Sequence, residues 1–122
     1  MYEDTQITRL EADDDHIALA AEVFSLLSDP TRIRLILALG SGERSVGQLA
    51  QQVGKKPTAV SQHLAKLRWA KIVRTRPEAS HVFYSLVDEH AAALVRHGVQ
   101  QAEHVLDDRP AHHAGADSDR PA

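Results

Sequence analysis

Apolar residues recur at helical spacing in several stretches between positions 17 and 67 of the chain. The first stretch ends at Leu27, and a second helix is predicted over about 30–39, ending at Gly40. Asp29 can cap its free N–H groups, and Pro30 is tolerated in a first helical turn. Apolar residues surround much of this second helix, which indicates that it is central and largely buried.

Two shorter helices follow in close succession. Ser45 and Gln48 have the spacing of a capping box, so a third helix is predicted from Ser45 to Gly54. A fourth helix begins within four residues of Gly54, with Pro57 in its first turn. Its narrow apolar stripe consists of Val60, Leu64 and Leu67. Two short helices joined by a tight turn predict a helix-turn-helix.

The pattern changes beyond Trp69 to β-branched and aromatic residues, which predict two strands over 72–75 and 82–86 with a turn at 77–80. Helical spacing returns over 88–106, with an apolar stripe longer than so small a domain needs for its own core. We therefore expect a homodimer formed through the first and last helices. The predicted fold is mainly α (α+β), a winged helix-turn-helix with the order α-α-α-α-β-β-α.

Length and composition limit the functions that the chain can have. Its 122 residues are enough for one core but not for an added catalytic lobe. We expect a flexible acidic lead (1–14), a DNA-binding and dimerisation domain (15–106) and a flexible tail that contains histidines (107–122). The chain has no cysteine, which excludes thiolate metal sites. No apolar run is long enough to span a membrane, so no membrane partner is expected. No export signal opens the chain, so we expect a cytoplasmic protein.

Charge is segregated along the chain, although the net charge is only −3. Residues 1–29 carry eight acids and one arginine, and residues 77–122 carry eight acids and three arginines. Residues 30–76 between them carry ten bases and one acid. A cationic block flanked by acidic segments is typical of a protein that binds a polyanion through one part of its chain.

The cationic block includes the outer face of the fourth helix, opposite its apolar stripe. Polar side chains there can hydrogen-bond base edges in the major groove of double-stranded DNA, and lysines and arginines can neutralise phosphates. Two arginines lie on the hairpin, which would form a wing that can reach the neighbouring DNA backbone or the minor groove. The residues predicted to contact DNA are Lys56, Thr58, Ser61, Gln62, His63, Lys66, Arg68, Arg74 and Arg76. An enzyme is not expected, since no phosphate loop, buried carboxylate pair or nucleophile with an adjacent base is found.

The amino-acid sequence of these segments resembles that of the ArsR/SmtB family of winged-helix metal-sensing repressors. The resemblance covers roughly residues 15–106 and is carried by LSDPTRIRL at 27–35, QLA at 48–50 and VSQHLAKLR at 60–68. It implies a homodimer whose fourth helices enter successive major grooves of an imperfect palindrome. It also implies that Ser61, Gln62 and His63 are among the residues that contact the operator.

Histidine is unusually frequent, with eight in the chain, five of them in its last 33 residues. His90, His97 and His104 are seven residues apart and project from roughly one side of the last helix. Neutral imidazole is a good ligand for nickel, cobalt, zinc and copper, and carboxylates can complete such a site. If the last helices of two subunits pair antiparallel, His90 of one chain approaches His104 of the other. His97 is expected to serve packing or dimer contact.

The family resemblance narrows the choice of ion. The zinc sensors of the family use Asp-x-His and His-x-x-His, which Asp88, His90 and His104 match in part, but Gln101 replaces the fourth ligand. The spacing is more similar to the nickel/cobalt-sensing, KmtR-type branch, as are VRTR at 73–76 and the opening Met-Tyr. The metal ligands that this resemblance implies are His90, Glu103, His104, His112 and His113, with Asp88 as an extra candidate.

The predicted function is metal-responsive repression of transcription. The metal-free dimer would bind operator DNA, and Ni²⁺ or Co²⁺ would release it, derepressing a metal efflux gene. Two alternatives stay open at this point. A winged-helix repressor that responds to zinc or to no metal would share the DNA-binding block, whereas a metal-storage protein would not need it.

Overall fold

The computed structural model describes residues 13–108 of the protein. Five helices and three strands follow one another in this part of the chain. They are α1 (Asp14–Leu27), α2 (Pro30–Leu39), β1 (Arg44–Ser45), α3 (Val46–Val53), α4 (Pro57–Trp69), β2 (Val73–Glu78), β3 (His81–Leu86) and α5 (His90–Asp107). The predicted mainly α fold with a β-hairpin is confirmed. None of the helices between residues 13 and 108 is long and apolar enough to cross a membrane.

Side-chain caps define where α1 and α2 begin. The Asp13 carboxylate accepts hydrogen bonds from the main-chain N–H groups of Asp15 and His16 at 3.1 and 3.4 Å. The Asp29 carboxylate accepts one from the N–H of Arg32 at 2.9 Å, so the predicted cap of α2 is confirmed. Leu37 is exposed on α2, so this helix buries one broad face rather than its whole circumference.

The helix-turn-helix consists of α3, the turn at Gly54 and α4. Both hydrogen bonds of the predicted capping box form: the Ser45 hydroxyl accepts from the N–H of Gln48, and the Gln48 side chain accepts from the N–H of Ser45. Gly54 ends α3 with φ 69°, a left-handed conformation that glycine adopts without a clash at Cβ. Pro57 opens α4 in the first turn, where its missing N–H has no partner to lose.

The three strands form an antiparallel sheet in the order β1-β3-β2. The hairpin is longer than predicted, because β2 runs through Pro77 to Glu78 and the turn is reduced to Ala79 and Ser80. A proline is tolerated there because β2 is an edge strand. The two-residue strand β1 was not predicted, since so short a segment has no alternation to detect.

The core lies where α2, α3, α4 and α5 meet the sheet. It contains fourteen buried apolar residues, and no polar side chain of residues 13–108 is buried. The predicted stripe of α4, Val60, Leu64 and Leu67, is completely buried. In contrast, α1 and α5 keep large apolar side chains in solvent, among them Phe24, Leu94 and Val99. The predicted acidic lead and histidine tail lie almost entirely outside the described residues, so these two boundaries stay predictions.

Candidate DNA-binding and metal-binding surfaces

The outer face of α4 is polar and open to solvent. Thr58, Ser61, Gln62 and Lys66 are all exposed, and they follow the helical spacing opposite the buried stripe. Because the buried stripe anchors α4 to the core, these side chains are held on a rigid element. They form a continuous exposed strip about two turns long, and contact of this strip with DNA stays a prediction.

The beginning of α4 is electropositive. Lys55 and Lys56 are exposed directly before the first turn, and no side chain within residues 13–108 caps the helix at Lys56. Free N–H groups at a helix N-terminus carry partial positive charge and are well placed for a phosphate oxygen. At the other end of the helix, Arg68 is also exposed. Cations thus lie at both ends of the polar strip, with Lys66 as its last member.

The two wing arginines have different surroundings. Arg74 is exposed on β2. The Arg76 guanidinium donates to both carboxylate oxygens of Glu43 at 2.8 and 2.9 Å, pairs with Glu78 and stacks over the Phe83 ring at 5.1 Å. The hydrogen bond from Arg76 lowers the pKa of Glu43, and the carboxylate partners raise the pKa of Arg76. Arg76 therefore ties the wing to the segment before α3, and a DNA contact by this residue stays a prediction.

His63 lies at the flank of α4 and faces the body of the protein. Its Nδ1 is 3.2 Å from Nη1 of Arg32 and 3.9 Å from Oδ2 of Asp29, both at the start of α2. The side chain is 24% exposed. The expected operator contact by His63 is not tested by this geometry, but the ring already has a partner within the protein.

The first predicted metal ligands lie at the start of α5. His90 is exposed in the first turn. The Asp88 carboxylate accepts a hydrogen bond from the main-chain N–H of His90 at 2.8 Å, which is an Asx-type turn that begins one residue before the N-cap Glu89. This bond uses one oxygen of Asp88 and fixes the entry of the chain into α5, while the imidazole of His90 projects from the helix surface.

The second group of predicted ligands lies at the other end of α5. Glu103 and His104 are exposed in its last turns. Fourteen residues separate His90 from His104, which at the rise of an α-helix is about 21 Å. No group of three ligand-type side chains gathers within residues 13–108 of one chain. His112 and His113 lie outside the described residues. Within one subunit, His90 therefore cannot share a metal ion with Glu103 and His104.

An apolar groove of about 370 Å³ lies between α1 and α5. Phe24 and Leu27 form one wall, and Leu94, Val95 and Val99 form the other. Phe24 is 56% exposed and Leu94 is 40% exposed, and both line this one groove. A contiguous apolar surface of this kind indicates a protein–protein contact, and it lies on the two helices predicted to form the dimer.

Comparison with known proteins identifies the family. Residues 29–75, which span α2 to the start of β2, match the family described as bacterial regulatory protein, arsR family. The HTH-type transcriptional regulator KmtR of Mycobacterium tuberculosis is 48% identical over 103 residues, covering 84% of this chain and 79% of KmtR. The chain belongs to the ArsR family. The prediction of a regulatory protein rather than an enzyme is thereby confirmed.

Solved structures agree with this assignment. The transcriptional repressor BigR from Xylella fastidiosa has a TM-score of 0.60 at 36% identity, covering 79% of this chain and 90% of BigR. The homodimeric winged helix-turn-helix DNA-binding domain of Mb0332 from Mycobacterium bovis has a TM-score of 0.68 at 26% identity, covering 82% of this chain and 95% of that domain. The ArsR-family chain described here thus has a winged helix-turn-helix fold.

Two arrangements were not foreseen from the sequence. One is the contact of Arg32 with His63, and the other is the contact of Arg76 with Glu43. Each joins residues more than thirty positions apart. The sequence offers a signal only for the second, because Glu43 is the single acid in the cationic block.

Proposed function

We propose that this ArsR-family protein is a homodimeric transcriptional repressor that binds operator DNA with α4 and the wing. The observation that carries the proposal is the exposed polar strip of α4, which is held on a buried stripe and bracketed by cations. Base edges are read by short polar side chains, and phosphates supply most of the affinity. The proposed contacts are Lys56, Thr58, Ser61, Gln62, Lys66, Arg68 and Arg74, with His63 and Arg76 as predicted contacts that also have protein partners.

The dimer is needed for the geometry of this function. A palindromic operator presents two half-sites about one helical turn of DNA apart, so two copies of α4 must be held at a fixed separation. The apolar groove between α1 and α5 supplies a surface for a second copy of the chain. The homodimeric state of the structurally similar Mb0332 domain supports the same arrangement.

We further propose that Ni²⁺ or Co²⁺ is the effector and that it is held between subunits. His90 of one chain and Glu103 and His104 of the other would supply ligands, and His112 and His113 would complete the set. Imidazole and carboxylate donors fit these ions, which favour higher coordination numbers than tetrahedral zinc. The separation of about 21 Å between His90 and His104 along α5 supports a site shared between subunits, because a single helix cannot bring both side chains to one ion. The 48% identity to KmtR supports the resemblance to the KmtR-type branch.

Release of DNA requires that the metal-bound dimer favour a geometry that fits the operator poorly. His90 and His104 would then act by fixing the angle between the two copies of α5 and, through α1, the separation of the two α4 helices. A coupling free energy of about 3 kcal/mol would weaken operator binding by a little over 100-fold. Linkage requires operator DNA to weaken metal binding by the same factor. The regulated gene is proposed to encode a metal efflux transporter.

The experiment is a titration of the operator-bound protein with nickel, cobalt and zinc. DNA upstream of the protein's own gene serves as the first operator probe. Wild type, His104→Ala and a chain truncated after Arg109 are compared, with His97→Ala as the matched control because it removes a histidine from the same helix. We expect nickel or cobalt to release wild type and His97→Ala but not His104→Ala. Release by zinc alone, or by none of the ions, would favour the alternative repressors.

A further inference from the structure

One arginine side chain joins three helices at a single point. The Nε of Arg32 donates a hydrogen bond to the main-chain oxygen of Leu26, in the last turn of α1, at 2.6 Å. Its Nη1 contacts Nδ1 of His63, midway along α4, at 3.2 Å. Its main-chain N–H donates to Asp29 at the start of α2. The guanidinium of Arg32 therefore links the end of α1, which lines the dimer groove, to the helix proposed to read DNA.

This contact requires one tautomer of the neutral His63 ring. A guanidinium donates hydrogen bonds and accepts none, so Nδ1 of His63 must accept from Arg32 and the ring proton must be on Nε2. Protonation of Nδ1 would remove the acceptor and bring two cations together at 3.2 Å. Because the side chain of His63 is only 24% exposed, water screens that repulsion incompletely.

Asp29 offers the protonated ring another partner. Its Oδ2 is 3.9 Å from Nδ1 of His63. The hydrogen bond from the main-chain N–H of Arg32, followed by the nearby His63 and Arg32 charges, lowers the pKa of Asp29, so this carboxylate is ionised near neutral pH. Asp29 and Arg32 are the charged groups that face the ring, and Lys66 is the next cation along α4. Protonation would thus exchange the bond to Arg32 for one to Asp29 and remove the polar link between α4 and α1, while the buried stripe keeps α4 on the core.

We propose that Arg32 and His63 position α4 relative to α1, and that operator affinity falls when protonation of His63 breaks their contact. The inference rests on the proposed function, since it concerns the affinity for operator DNA. It makes His63 a positioning residue that acts through Arg32, where the sequence alone had indicated a residue on the DNA-contacting face. Mild acid would then weaken repression through the DNA-binding domain itself, separately from the metal ligands of α5.

The first test compares operator affinity of the metal-free full-length chain at pH 8 and pH 5. His63→Asn keeps an acceptor near the position of Nδ1 but does not titrate. Because the Arg32 guanidinium opposes protonation of the ring, wild type is expected to lose about tenfold in affinity only at pH 5, and His63→Asn less than about threefold. The matched control is His16→Asn, which removes an exposed histidine paired with Asp13 and should retain the wild-type pH dependence. An equal pH dependence in wild type and His63→Asn would overturn the proposal.

A double-mutant cycle separates positioning from direct DNA contact. Arg32→Met and His63→Ala should each weaken operator binding at pH 8 by about tenfold, and the double variant should be little worse than either. If the two losses instead multiply to about 100-fold, His63 and Arg32 act independently and the proposal is wrong. Melting temperatures identify any variant that fails to fold, and in that case the pH comparison with His63→Asn decides alone.

A measurement without DNA distinguishes failure of this inference from failure of the proposed function. The hydrogen bond to Leu26 should slow solvent exchange of the Arg32 Nε proton in NMR spectra, and His63→Ala should accelerate that exchange. Faster exchange in His63→Ala, in a protein that binds no operator, would support the link and refute the repressor. Unchanged exchange in a protein that does bind operator would refute the link alone.

Discussion

Removal of the Asp29 carboxylate tests how the sequence specifies the start of α2. Asp29→Ala deletes the oxygen that accepts from the N–H of Arg32 at 2.9 Å, and α2 carries three of the fourteen core residues. We expect a loss of stability without a change of fold, because the rest of α2 remains packed. The free energy of unfolding is the quantity affected, since the cap contributes nothing to an unfolded chain.

The magnitude follows from what the carboxylate does. Loss of an N-cap acceptor costs about 1 kcal/mol, and loss of a negative charge at a helix N-terminus adds about 0.3–1 kcal/mol. The sum is about 1.5 kcal/mol, which for a domain of this size lowers the melting temperature by roughly 6 °C. Thermal unfolding followed by circular dichroism measures the shift at a fixed protein concentration, because dimerisation makes the melting temperature depend on concentration.

Asp29→Asn is the matched control, because asparagine caps helices as well as aspartate does but is neutral. We expect it to lose only about 0.3–1 kcal/mol. Since the pKa of Asp29 is lowered in the folded protein, its charge contributes stability above the unfolded pKa, and this contribution is lost as the pH falls through the folded value. The difference between wild type and Asp29→Asn should therefore shrink below about pH 4. An Asp29→Ala protein as stable as wild type at pH 7 would refute the reasoning.

Three further predictions address the core, the dimer and the DNA contacts. Leu64→Ala should lower the free energy of unfolding by about 2–5 kcal/mol in chemical denaturation, because this side chain is fully buried. Leu94→Glu should produce monomers in analytical ultracentrifugation, because it places a charge on the apolar groove. Lys66→Ala should reduce the slope of log affinity against log salt concentration by about 0.9 if Lys66 contacts one phosphate.

Each of these variants has a control on the same chain. Leu19→Ala removes a leucine that is 57% exposed and should cost far less than Leu64→Ala. Gln100→Glu adds a charge to α5 away from the groove and should leave the dimer intact. Arg96→Ala removes an exposed cation from α5 and should leave the salt slope unchanged. Equal effects in a variant and its control would contradict the assigned role.

Local signals explain why most of the fold could be predicted. The caps at Asp29 and Ser45 and the turn at Gly54 depend on residues within a few positions of one another, so the sequence displays them directly. The buried stripe of α4 is likewise a periodicity within one helix. The hairpin is predicted at the correct place but too short, because a proline usually ends a strand, whereas the edge position of β2 tolerates Pro77.

The site was harder to predict, because its geometry depends on contacts between distant segments. The face of α4 follows from helical spacing, but the orientation of His63 toward Arg32 depends on how α2 packs against α4. The ion pair between Arg76 and Glu43 similarly forms only because the folded sheet brings these two residues together. The proposed pairing of His90 with His104 joins two chains, so it depends on the dimer rather than on the fold of one subunit.

The central claim, a metal site shared between subunits, is tested most directly by mixing two defective variants. His90→Ala and His104→Ala homodimers should each bind nickel poorly. In a heterodimer of the two, one site loses both histidines and the other regains His90 from one chain and His104 from the other. Random mixing should therefore restore about a quarter of the wild-type nickel sites, as measured by calorimetry. A mixture that binds no more nickel than its two parents would contradict the account.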